Sequence, residues 1–420
     1  MEVSELLLLE KVFEIINKSG LEYCIQNKYE MMPEQIPSDI DMMYRNASEE
    51  FLDNLVKEIA QETGLIITQK ICQGYYEYTY IISYPCPKEY FQLQLDFYRA
   101  ISRRGYLNIM PAEDMLETRR FYKCFYVPDH YVELKYMWIR RTIKKDLQEE
   151  HIAIAKELFE HNPQEYRQKL ICDFGEKVTE YVMQILETGN TNIFYDNFDL
   201  FKHSAKKISR KNTTIGTVIK YTTFMLFTVI PKRVFHKCGI SVAFLSPDGG
   251  GKTTIIERIK DTVGGSFYGT KVLYMRPRLL KNLGHYNLVN PSEEATSNPN
   301  PHDKKLHSPL KSLIRFLFYN FDYQVGTWLK TDKYKIKKQL VVYDRYYYDY
   351  YVDLKRYQYD LPKWLPRVCA PFIPKPNLVF VLDGSAECLH SRKQELSVNE
   401  IERQLLEYRK IAEDYSFAQL

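Results

Sequence analysis

Residues 246–254 read S-P-D-G-G-G-K-T-T and directly follow the apolar run I-S-V-A-F-L at 240–245. A buried strand, a glycine-rich turn and an amphipathic segment (Ile255, Ile256, Ile259) in that order leave few folds open. The strand must lie inside a sheet, with the helix packed back against it. The arrangement also suits a nucleotide polyphosphate. Gly249, Gly250 and Gly251 let backbone N–H groups converge on phosphate oxygens, and the helix N-terminus adds a favourable field. Lys252 supplies a point charge for the β- and γ-phosphates, and Thr253 a hydroxyl for Mg²⁺. The expected nucleotide-binding set is Asp248, Gly249, Gly250, Gly251, Lys252, Thr253 and Thr254. One residue departs from the G-x-x-x-x-G-K-[ST] pattern: Ser246 stands at its first glycine.

A chain of 420 residues is too long for one ordinary core, so at least two domains are expected. With 27% charged and 45% hydrophobic residues, it has globular rather than disordered composition. A net charge of +4 does not argue for wrapping nucleic acid, and no nucleic-acid partner is expected. The 8 cysteines are scattered with no C-x-x-C pair, which fits a reducing compartment. The first ten residues put a leucine run between acids, without the basic flank of a signal peptide, so a cytoplasmic protein is expected. The stretch 215–230 carries Lys220 and several threonines and is too short and polar to span a bilayer. Lys202, Lys206, Lys207, Arg210 and Lys211 precede it, and Lys232, Arg233 and Lys237 follow it. It reads either as a domain-packing helix or as a peripheral contact with an anionic membrane.

Along the chain, a helix is expected over 1–18, then strands at 21–26 and 38–44 and a helix over 48–63 with Ser48 as cap and Gly64 beyond it. Strands follow at 65–72, 76–84 and 90–98, and residues 113–186 read as mostly helical. The polar, basic stretch 189–214 reads as a connector, and 291–309 as a loop. Strands at 271–274, 340–343 and 378–382 alternate with helical patterns after residue 239, which predicts a parallel sheet with crossover helices. Three parts are expected: 1–150, a helical region and basic connector at 151–238, and 239–420.

Three clusters belong with the glycine-rich turn. V-V-Y-D-R-Y at 341–346 ends a strand in Asp344 and Arg345, at the edge where parallel sheets hold ligands. Asp344 suits a proton or Mg²⁺ and Arg345 suits a phosphate, or the two simply tie a strand end. Arg276, before Pro277, is placed either to meet an acceptor's phosphate or to lie in solvent. H-S-R-K-Q-E at 390–395 offers Arg392 and Lys393 as a basic lid, or as a solvated helix face.

With these residues in view, residues 239–420 resemble the thymidylate kinase family and its wider nucleoside and nucleotide kinase relatives. The resemblance rests on 246–254, Asp344-Arg345-Tyr346, the strand ending at Asp383, and Arg392-Lys393 with Glu402, Arg403 and Tyr408. It implies a P-loop NTPase α/β fold, a parallel sheet flanked by helices. It also implies ATP and Mg²⁺ as cofactors and a phosphoryl transfer in which Lys252, Asp344, Arg345, Arg392 and Lys393 act. Arg276, Arg345 and Tyr346 would bind the acceptor. Arg276-Pro277 looks like a shortened form of the family's Arg-Glu-Pro-Gly-Gly segment, and Asp349 and Asp353 stand where a serine would follow Asp-Arg-Tyr. The chain stops at Leu420, where the family's last strand and helix would follow. The subgroup it looks like is associated with bacterial surface-polysaccharide genes and need not act on a nucleotide.

In the first part, S-D-I-D at 38–41 places Asp39 and Asp41 on one face of a strand, and Asp96 lies in a second apolar strand. Three convergent carboxylates suit metal-assisted attack on a nucleotide phosphate. Alternatively the pair caps a turn and Asp96 lies on the surface. Residues 1–150 resemble the polymerase-β-type nucleotidyltransferase superfamily, an α+β fold. That superfamily's Gly-Ser turn is replaced here by Q-N-K-Y-E at 26–30.

The function expected is ATP–Mg²⁺-dependent transfer of a phosphoryl group to a nucleoside monophosphate or related small acceptor. The alternatives are nucleotidyl transfer to a sugar or protein by the N-terminal carboxylates, and a nucleotide-responsive scaffold without catalysis. A homo-oligomer is expected.

Overall fold

A computed structural model of the chain describes residues 5–84, 91–103, 105–263, 266–281 and 308–419. Most of the loop expected at 291–309, and the first four residues of the first helix, lie outside them. The chain forms two compact units, 1–232 and 233–420.

The first unit is built on a five-stranded mixed sheet in the order β1-β2-β5-β4-β3. Its strands are β1 (Glu22–Ile25), β2 (Ile40–Arg45), β3 (Ile66–Gly74), β4 (Glu77–Tyr84) and β5 (Phe91–Tyr98). Only the β2–β5 pairing is parallel, and it sets Asp41 beside Asp96. Helices α1 (Glu5–Lys18) and α2 (Glu49–Thr63) bury Leu9, Val12, Phe13 and Ile16 with Leu52, Val56 and Ile59 in one core with the strands. The Ser48 side chain accepts from the N–H of Phe51, and Gly64 ends α2 in the left-handed region at φ 71°.

Two hairpins interrupt the region expected to be helical from 113 and the stretch just before it: β6 (Ala100–Arg103) with β7 (Tyr106–Pro111), and β8 (Arg120–Tyr122) with β9 (Phe125–Val127). The short helix α3 (Ala112–Leu116) lies between them. Helices α4 (His130–Lys144), α5 (Glu149–Glu160), α6 (Pro163–Phe174) and α7 (Glu176–Thr188) follow. The connector expected at 189–214 is instead helical: α8 (Asn192–Asp196) and α9 (Phe198–Asn212). Its cations form one face of an amphipathic helix, while Phe201, Ala205 and Ile208 enter the second core beside Trp138. The helical run continues as α10 (Ile215–Phe224), a π-helical turn (Met225–Val229) and α11 (Ile230–Phe235).

The second unit has a five-stranded, all-parallel sheet in the order β11-β12-β10-β13-β14. Its strands are β10 (Ser241–Leu245), β11 (Thr270–Tyr274), β12 (Leu340–Asp344), β13 (Leu378–Val381) and β14 (Ala418–Gln419). Helices α12 (Lys252–Val263), α13 (Pro309–Gly326), α14 (Asp332–Ile336), α15 (Asp349–Val352), α16 (Leu365–Cys369), α17 (Ala386–Arg392) and α18 (Val398–Asp414) connect the strands. Burial of β10 along its whole length explains its continuous apolar sequence, as expected of a central parallel strand. β14 pairs with β13 at the point where the sequence resemblance breaks off. Tyr343, Tyr346, Tyr347 and Tyr350 pack with Tyr323 and Phe316 in an aromatic core on one side of the sheet.

No single helix among the described residues is long and apolar enough to cross a membrane. The pair Phe198–Asn212 and Ile215–Phe235 passes that test only together and is bent by 88°.

If α9 is a core element, Phe201→Ala costs the first unit about 3–5 kcal/mol. Urea unfolding monitored by hydrogen exchange of α4 and α9 checks this; protection unchanged within error would return the segment to a connector.

Candidate functional site

Strand β10 ends at Leu245 in the middle of the parallel sheet, so the loop 246–251 leaves from its central C-terminal edge. Ser246 is fully buried, and its hydroxyl donates to the Pro247 carbonyl at 2.7 Å. That hydroxyl lies 1.8 Å from where a β-carbon on Gly250 would be, so Gly250 accepts no side chain while Ser246 is present. Gly249 and Gly251 take φ of +83° and +79°, and a β-carbon on Gly249 would strike the Leu389 carbonyl. The first helical bond of α12 runs from the N–H of Ile255 to the Gly251 carbonyl at 3.1 Å. The N–H groups of Lys252, Thr253 and Thr254 therefore have no helical acceptor, and both threonines are exposed.

Lys252 is buried and folds back over the loop. Its ammonium donates to the carbonyls of Ser246 and Pro247, both at 3.0 Å. Burial, and then the Arg345 guanidinium, push it down to about 7. Asp344 ends β12 beside β10 and contributes to the field at Lys252. Its Oδ1 is buried without a hydrogen-bond partner. A carboxylate oxygen left in that state is costly and suits a cation. Asp344 and the Thr253 hydroxyl are the side chains here with the chemistry to hold Mg²⁺.

Arg345 is 2% exposed and has φ +71°. It forks between Asp248 at 2.5 Å and Asp349 at 2.8 Å, and Tyr408 donates to the other Asp349 oxygen at 2.9 Å. Arg356 contacts Asp248 as well and pairs with Asp353 at 3.1 Å. Burial works to raise Asp248, but Arg345 and Arg356 outweigh it and hold the carboxyl well below the usual range. Asp349, four residues on, is thus the anchor for Arg345.

Two expected acceptor residues are otherwise engaged. Arg276 is buried, donates to Asp322 at 2.5 Å and to the Leu280 carbonyl at 2.9 Å, and stacks on Tyr319. It is neither solvated nor directed at a ligand; it locks the turn after β11. Tyr346 lies in the aromatic core, and its hydroxyl is taken by the Pro374 carbonyl. The basic pair divides. Both are exposed, but Lys393 caps α17 with its Cβ next to Gly249 and pairs with Glu395 at 3.1 Å.

In the first unit, carboxylate oxygens of Asp39, Asp41 and Asp96 all lie within 4.8 Å of one another. The parallel register of β2 and β5 causes this, with Asp39 at the entry to β2. Burial pushes Asp96 up to about 6, against hydrogen bonds from Thr79 and Gln94. Burial and the charge of Asp39 raise Asp41. For Asp39 the burial effect is outweighed by Ser38 and Lys28, and its pKa is lowered. Such a mutually repelling group fits a divalent cation.

A cavity of about 170 Å³ holds Asp39 and Asp41 together with Arg103, Arg140 and Lys144. It shares Tyr136, Arg140 and Lys144 with a larger one of about 740 Å³ that also reaches Lys28, Arg120 and His130. Clustered carboxylates beside clustered cations form a place for a metal-bound polyanion. From sequence, residues 133–141, Arg140 among them, read as a helical stretch able to position substrate or to pack the core, whereas Arg103 and Lys144 were missed. Met137, Arg140 and Lys144 at helical spacing on α4 carried the signal, because that face is shared with the buried Tyr136 and Glu133.

Gly250→Ala should abolish nucleotide binding and lower the melting temperature, and adding Ser246→Gly should recover part of both; calorimetry and thermal melting read this. At the carboxylates, a proton and a cation compete for Asp96, whose raised pKa keeps it protonated below about 6. Mn²⁺ affinity measured by paramagnetic resonance should therefore rise as pH increases through that value and level off above it; Asp39→Asn should remove it. No family model matches the chain, and a search of the curated proteins finds no match either, so the functional reading stands on these two sites.

Proposed function

We propose that the second unit is a P-loop NTPase of the thymidylate-kinase-like kind, which moves the terminal phosphoryl group of ATP to a small acceptor. The observation that carries this is the pairing of a buried, neutral-leaning Lys252 with a loop whose free amides and partnerless Asp344 oxygen face the same sheet edge. Lys252 and the amides at 252–254 bind the polyphosphate, Asp344 and Thr253 would hold Mg²⁺, and bound Mg²⁺ would supply charge neutralisation. Lys393 stands beside the loop, where a cation counters charge on the moving group. A nucleoside monophosphate is the first acceptor to test, with Arg276 and Tyr346 already bonded to Asp322 and the Pro374 carbonyl.

A second reading has its own observation. The Asp39–Asp41–Asp96 group with Arg140 and Lys144 beside it favours metal-assisted nucleotidyl transfer in the first unit. Lys28 occupies the place of the missing Gly-Ser turn and reaches Asp39 at 3.2 Å.

Lys252→Ala should cut ATP turnover by at least about 100-fold, the size of an electrostatic contact of this kind. It should also abolish thermal stabilisation by ATP–Mg²⁺, while Asp39→Ala leaves both intact; the opposite pattern selects the second reading. A polyphosphate restores the charge of Lys252, so ATP binding between about pH 7 and 8 should take up protons. Binding enthalpies measured in buffers of different ionisation heat detect this, and enthalpies independent of buffer would remove Lys252 from the phosphate contact.

A further inference from the structure

Between Asp199 and Asp248 the chain carries no acidic residue. Within the first unit this stretch exposes Lys202, Lys206, Lys207, Arg210 and Lys211 on α9 and Lys220 on α10. None of the six has an acidic partner among the described residues. Lys202, Lys206 and Arg210 follow one another at four-residue steps, as do Lys207 and Lys211, opposite the buried Phe201, Ala205 and Ile208.

The helix that follows is apolar on two sides. Phe224, Met225 and Val229 pack into the first unit's core, with Phe224 against Tyr75 and Tyr76 at ring separations of 5.2 and 5.0 Å. Lys232 fastens its far end to Glu49 at 2.8 Å. Away from those contacts Ile215 is 81% exposed, Ile219 57%, Leu226 52%, Phe227 78% and Ile230 47%, the first pair one turn apart and the last three within one turn. Single exposed apolar residues are ordinary, but five on one helical run of sixteen residues mark a binding face.

We infer that this face seats on an anionic lipid bilayer. The row from Ile215 to Ile230 enters the boundary between headgroups and acyl chains, and the cations of α9 and Lys220 meet lipid phosphates. The charge pattern selects this occupant. A second copy of the chain would bring two cationic fronts together, and a polyanion such as nucleic acid would leave the apolar row in water. The helix lies on the surface rather than crossing it, because Lys220, Thr222 and Thr223 interrupt the run. No residue of either site described above takes part.

Flotation of the full-length protein, without nucleotide, on vesicles of phosphatidylcholine with or without phosphatidylglycerol tests this. The protein should float with the anionic vesicles only, and salt should release it. The pair Ile219→Ser and Phe227→Ser should abolish flotation. The triple Lys206→Ser, Lys207→Ser and Arg210→Ser should weaken it roughly 100-fold, from three cations near the surface. Circular dichroism melting should be unchanged in both, since these side chains are exposed. The inference is overturned if the wild type ignores anionic vesicles, or if the variants float as it does. It is equally overturned if light scattering shows a dimer that Phe227→Ser dissociates while vesicles bind nothing.

Discussion

One guanidinium organises the ligand-facing edge of the second unit. Arg345 sits just past the end of β12 in the left-handed region, and its N–H donates to the Phe244 carbonyl of β10. Its side chain then joins Asp248 of the glycine-rich loop to Asp349 at the start of α15. Two stretches of chain 97 residues apart, the loop at Asp248 and the run from Arg345 to Asp349, are therefore held to one buried charge, with Tyr408 bonded to Asp349 from a third. A buried ion pair adds little over well-packed apolar groups, but removing one partner strands the others and costs about 3–5 kcal/mol. The position of the loop, the burial of Lys252 and the path of the chain after β12 all depend on that cluster staying intact.

The two units treat charge in opposite ways. In the second, cations are gathered and paired with protein carboxylates and carbonyls, while burial and the Arg345 charge push Lys252 down. In the first, carboxylates are gathered and left in mutual repulsion, with a hydroxyl, an amide and an ammonium only partly offsetting it. Each arrangement is costly without its complement, and that cost is what the proposed ligands would offset.

The parallel sheet was legible because its strands are continuous apolar runs separated by helical patterns, and β10, β12 and β13 occur where those runs do. Asp39, Asp41 and Asp96 could be brought together from strand periodicity alone, since a parallel neighbour puts like positions side by side. Other features were not legible. The cationic stretch at 189–214 looked like a connector because charge dominates its composition; its apolar residues show only at helical spacing. The short hairpins at 100–127 lack the Asn-Gly turn that announces such units and use Gly105 and Lys123 at positive φ instead. Arg276 and Tyr346 were read as ligand groups from their neighbours in sequence, but their partners, Asp322 and the Pro374 carbonyl, lie 46 and 28 residues away. A partner that distant leaves no trace in local pattern.

Asp248 gives the loop a last property. Its carboxylate already fills the forks of Arg345 and Arg356, as an anion tethered to the very turn that a phosphate would approach. Any incoming oxyanion that reaches those guanidiniums competes with a rival of its own sign, present at the high effective concentration of a short covalent link. Small free anions are thereby disfavoured at the two arginines, and displacing the carboxylate swings the peptide that carries it. An oxyanion that took both guanidiniums would leave Asp248, and with it the turn, without those two partners.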